Sequence, residues 1–74
     1  MSTIVFSDRF INAVTELYGS EMKPEFAKAL KEGDYETVGR YLRAEAVKQI
    51  RLKELVSQFS VQLGAYKLPA HEYI

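Results

Sequence analysis

Apolar residues recur along this chain at steps of three and four, the spacing of a helix face rather than the alternation of a strand. In SDRFINAVTELYG, Phe10, Ile11, Val14, Leu17 and Tyr18 fall on one stripe. Ser7 is placed to cap this first helix, Asp8 suits its positive end, and Gly19 can close it in the left-handed conformation. The β-branched STIVF ahead of it reads as an extended arm or as an early helical turn. A second, short helix is predicted from about Pro24 to Lys31. Pro24 fits its first turn, where no internal donor is needed, and Phe26, Ala27 and Leu30 give it a narrow apolar side. Gly33 then serves as its C-cap and Asp34 as the N-cap of a third helix.

The third segment has neither Gly nor Pro between Gly39 and Gly64 and is rich in strong helix formers. A heptad-like seam runs through Tyr35, Val38, Leu42, Glu45, Gln49, Leu52, Val56, Phe59, Leu63 and Tyr66, broken only by the two polar members in the middle. The pattern predicts one long helix over about 34–64, straight or kinked near 45–49. From Tyr35 to Leu63 such a helix measures roughly 44 Å at 1.5 Å per residue. A compact domain of this size is only about 22–28 Å across. A second apolar row, Tyr41, Val47, Ile50, Leu55 and Val61, widens the face beyond what two short helices can cover. Wide uncovered apolar faces mark interfaces. The expectation is therefore a homodimer or higher oligomer, with Val38, Leu42, Leu52, Val56, Phe59 and Leu63 as the interface.

After Gly64, Leu68-Pro69 forces extended geometry, and Tyr66, Leu68, Tyr73 and Ile74 are too apolar for a purely solvated tail. The expected architecture is all-α: two short N-terminal helices packed on one long C-terminal helix, as a single helical domain over 1–66 with an extended tail over 67–74.

Composition narrows the function classes. At 74 residues the chain holds one domain, with a modest core. It has no cysteine, so disulfides and thiolate metal sites are excluded. Ten basic and ten acidic residues cancel, which disfavours nonspecific attraction to nucleic acid or an anionic membrane and favours association. The longest apolar run, TIVF, is too short for a bilayer. The N-terminus lacks a basic stretch followed by an apolar core, so no signal peptide is expected. The expected location is the cytoplasm.

Site chemistry is sparse. The single histidine, His71, stands beside Glu72 in the tail, and metal sites need three or four converging ligands. No zinc spacing, phosphate-binding loop or nucleophile motif occurs. No cofactor or metal is expected, and no enzymatic activity. Glu45 and Gln49 are the inward polar candidates, as a register-setting pair or as a ligand site; the alternative is an open seam that lets both reach water.

One stretch points elsewhere. AKAL followed, beyond Gly33, by TVGRYL is similar to bacterial helix-turn-helix regulators over about 20 residues of PEFAKALKEGDYETVGRYLRAEA. That resemblance implies DNA binding through segment 24–43, with Tyr35, Glu36, Gly39, Arg40 and Arg43 towards the groove. Arg40, Arg43, Lys48 and Arg51 form the basic sector such binding would use. Against it, Glu32, Asp34 and Glu36 sit where phosphates would approach. The leading expectation is a small non-enzymatic helical protein that self-associates through its long helix and binds a protein partner. The alternative is a small DNA-binding regulator.

Overall fold

The computed structural model describes residues 3–46 and 51–73. Among them are four α-helices and no strand: α1 (Asp8–Tyr18), α2 (Pro24–Glu32), α3 (Tyr35–Ala46) and α4 (Leu52–Ala65). Short 3-10 turns occupy Gly19–Glu21 and Ala70–Glu72. The all-α class stands.

The single long helix does not. The longest helix has 14 residues, and the longest dimension of the fold is 30 Å, well short of a continuous helix over 34–64. Leu52 at the start of α4 lines a pocket with Tyr41 and Glu45 near the end of α3. Further on, Phe59 comes up against Gly39. The two helices therefore run antiparallel, side by side, and the seam is folded onto itself. The physical reason is burial. A straight helix leaves its apolar face in water, whereas a hairpin lets one half cover the other. The expected kink at 45–49 falls partly on 47–50, outside the described residues.

Folding back consumes the residues assigned to an oligomer interface. Val38, Leu42, Leu52, Phe59 and Leu63 are at most 1% exposed within a single chain, and Val56 is half-buried. A second copy meets almost no surface there.

The first two helices cap as their sequences dictate. The Ser7 hydroxyl accepts from the Phe10 N–H at 3.2 Å. Gly19 ends α1 at the expected position, but with φ 56° and ψ −133° it lies outside the left-handed region expected of it. Pro24 opens α2. Gly33 closes it in the left-handed region at φ 76°, so that the Gly33 and Asp34 N–H groups both donate to the Ala29 carbonyl. Asp34 turns directly to cap α3, accepting from the Thr37 N–H at 3.3 Å and the Thr37 hydroxyl at 2.7 Å.

The N-terminal segment is the extended arm. Ile4 and Phe6 are buried while Val5 between them is 79% exposed, the alternation of an extended chain. The Ile4 N–H donates to the Gly33 carbonyl at 3.0 Å. The Val5 N–H donates to the Tyr66 hydroxyl, and the Ser7 N–H to the Gln62 side-chain oxygen. Phe6 and Phe10 then stack with ring centroids 5.1 Å apart, and both lie within 6.2 Å of Phe59.

The other end folds back too. Gly64 does not end α4; the helix passes through it and closes on Lys67, a non-glycine residue at φ 58°. The Lys67 N–H bonds the Gly64 carbonyl and the Leu68 N–H bonds the Leu63 carbonyl, which is the Schellman closure. The tail then lies on its own bundle, with Tyr73 edge-on to Tyr35 at 5.2 Å. A side chain at φ 58° costs about 1 kcal/mol that glycine avoids. Lys67→Gly is accordingly expected to raise stability by about 0.5–1 kcal/mol in urea unfolding. A loss instead would show that the Lys67 side chain contributes more than its backbone strain.

Candidate functional site

Three helix ends meet at one place. Leu17 and Tyr18 finish α1, Tyr41 and Glu45 lie on the last turns of α3, and Leu52 begins α4. Phe26, from the first turn of α2, completes the apolar floor. These residues enclose a pocket of about 120 Å3, to which Glu21 and Lys23 from the α1–α2 connection add charge.

The aromatic walls are held in place. Tyr18 packs on Phe26 with centroids 5.0 Å apart, and Phe26 meets Tyr41 edge-on at 5.2 Å. Tyr41 is fixed at its far end, where its hydroxyl donates to the Glu25 carboxylate at 2.9 Å. That hydrogen bond, then partial burial and the carboxylate's charge, raise the Tyr41 hydroxyl above its ordinary value.

Tyr18 is different. Its hydroxyl oxygen is buried and has no hydrogen-bond partner among the described residues. Burial pushes its pKa from an ordinary 10.0 up to about 12, and the negative charge of Glu45 adds to the shift. A group whose folded pKa is raised stabilises the fold fully below its unfolded value and loses that contribution as pH rises through the folded one. Stability should therefore fall between pH 10 and 12 as the unfolded chain releases the Tyr18 proton first. In Tyr18→Phe that part of the decline should vanish, as read by thermal unfolding across the range. An unchanged decline would mean other tyrosines carry it.

The other residues singled out in the sequence are dispersed. On α3, Glu36, Arg40 and Arg43 are exposed along one face, and Arg40 pairs with Glu36 at 3.9 Å. Tyr35 and Gly39, expected to face a groove, are buried instead, Tyr35 against Tyr73 and Gly39 beneath the Tyr73 backbone. Arg51 lies between α1 and α4 in a surface groove with Glu16 and Glu54. Lys48 and Gln49 lie outside the described residues. Glu45, the inward carboxylate candidate, is half-buried and lines the pocket. His71 is exposed, and the described residues hold no cluster of three metal-binding side chains. No helix among them is long and apolar enough to cross a membrane.

Sequence reasoning missed Tyr18, Phe26 and Tyr41 as a group. Each was legible only as an apolar face position, and their meeting depends on the α3–α4 reversal. No family model, curated protein or solved structure matches the chain.

Proposed function

We propose that this chain is a small non-enzymatic binding module that docks a protein partner through the pocket at the meeting of α1, α2, α3 and α4. The observation that carries this is a preformed concave pocket walled by Tyr18, Phe26 and Tyr41, with the Glu45 carboxylate on its side. A largely preformed apolar pocket with a few polar groups is the usual form of a binding site. Rigid aromatic walls also limit the entropy lost on binding. Self-association through a long helix is not carried forward, because its seam is internal.

The test is a displayed peptide library selected against the immobilised full chain. Selected peptides should bind at least about tenfold more weakly to Tyr41→Leu and to Glu45→Lys, the loss expected of a central interface residue. No enrichment, or binders indifferent to both variants, would overturn the proposal.

A second reading, DNA binding, gains one observation. α2 and α3 follow one another across the Gly33–Asp34 turn, and α3 carries Arg40 and Arg43 exposed. Losing the Arg40 and Arg43 side chains should lower the salt slope of duplex binding by about two units if each meets a phosphate. On the partner-binding reading, no duplex binding is measurable at ~50 mM salt, and Glu32, Asp34 and Glu36 are the physical reason.

A further inference from the structure

We propose that the pocket receives a protonated alkylamine, the group at the end of a lysine side chain. The inference rests on the pocket being the point of docking and names the chemistry it reads.

Size comes first. A cavity of about 120 Å3 is slightly smaller than the roughly 150 Å3 engineered cavity that admits benzene. It takes a short aliphatic stem with a compact head, and it is too small for a nucleotide or a folded loop. The walls come next. Aromatic faces attract cations, by about 0.5–2 kcal/mol depending on desolvation, and Tyr18, Phe26 and Tyr41 supply three rings around one space. Charge points the same way. Among the described residues, Glu21 and Glu45 bring two carboxylates against one lysine, Lys23. An anionic guest would face both carboxylates.

The Glu45 carboxylate separates a cation from a neutral apolar guest. An ammonium head has three N–H donors for the Glu45 oxygens on the pocket wall, whereas an alkyl chain or an alcohol leaves that charge uncompensated. Glu45 is only half-buried, so water reaches it until the guest arrives.

The test uses the full chain and four small probes: n-butylammonium, n-butanol, butyrate and N-acetyl-lysine methylamide. Binding is followed by the NMR shifts of Tyr18, Tyr41 and Leu52. Butylammonium should saturate in the millimolar range, with butanol about tenfold weaker and butyrate absent. Glu45→Gln, which keeps the size and removes the charge, should weaken butylammonium about tenfold and leave butanol unchanged. Equal binding of butanol and butylammonium, preference for butyrate, shifts that map away from the pocket, or no saturation by ~100 mM would each overturn the proposal. The lysine derivative identifies the source. If it binds as butylammonium does, the guest is a side chain. If only the free amine binds, the pocket chemistry stands and the partner-docking reading fails. Conversely, pocket-dependent peptides without lysine, together with no ammonium binding, would remove this inference and leave the docking reading intact.

Discussion

Replacing Phe59 with alanine should leave the chain largely unfolded at room temperature. Phe59 is fully buried, and its ring sits where the arm, α1 and α3 converge, within 6.2 Å of Phe6 and Phe10 and against Gly39. Truncating a buried phenylalanine costs roughly 3–5 kcal/mol. A single core in a domain of about 70–80 residues rarely supplies more than about 3–5 kcal/mol, so for this 74-residue chain the loss rivals the whole. Circular dichroism should show most helical signal gone, while Phe59→Leu should remain folded with a lowered midpoint. A cooperative unfolding transition in Phe59→Ala, shifted by less than ~1 kcal/mol, would show that this residue is not central. Leu52 is equally buried. Alanine at both positions would therefore report on folding, not on self-association.

The second large effect is at Gly33. It lies in the left-handed region at φ 76° and ψ 25°, where alanine bears a strain of about 1–2 kcal/mol. Gly19, at φ 56° and ψ −133°, lies where essentially only glycine is at ease, so alanine there loses stability to backbone strain alone. At Gly19 a Cβ meets nothing within 4 Å. At Gly33 it would overlap the Ile4 carbonyl oxygen, and backbone cannot swing aside as a flexible side chain can. Gly33→Ala should therefore add the loss of the docked arm. Ile4 and Phe6 would be released, bringing the total to roughly 4–5 kcal/mol at about 1.5 kcal/mol per buried side chain. Urea unfolding of Gly33→Ala measures the loss. A loss at Gly33 no larger than the strain of about 1–2 kcal/mol would mean the arm contributes nothing.

What could be read from the sequence follows from where the information lies. Ser7, Gly19, Pro24, Gly33 and Asp34 act within a few residues of themselves, and the ends of α1 and α2 fall where they predict. The α3–α4 reversal leaves no such mark, because the segment around it has no Gly or Pro. Heptad spacing tells which face is apolar but not what covers it. A seam that folds back on itself reads the same as one that pairs with another chain. The trace that existed was Glu45 and Gln49, the polar interruption, with Glu45 on α3 ahead of the point where the chain turns back. The end of α4 at Ala65 falls one residue from the expected 64, but the residue that takes the positive φ beyond it is Lys67, not a glycine. The pocket was out of reach for a related reason. Tyr18, Phe26 and Tyr41 belong to three helices, and only the assembled bundle brings their rings together.

The arm is joined to residues at the far end of the chain, Val5 to Tyr66 and Ser7 to Gln62, separated by 61 and 55 positions. Bridging so much chain has an entropic cost that grows with its length, whereas α2–α3 and α3–α4 form from near neighbours. Clasping the arm is thus expected to follow the folding transition state rather than help to create it. Weakening the clasp, as in Gln62→Ala, should then hasten unfolding and leave the refolding rate nearly unchanged. The arm would act as a latch on the lifetime of the native state, not as a guide to reaching it.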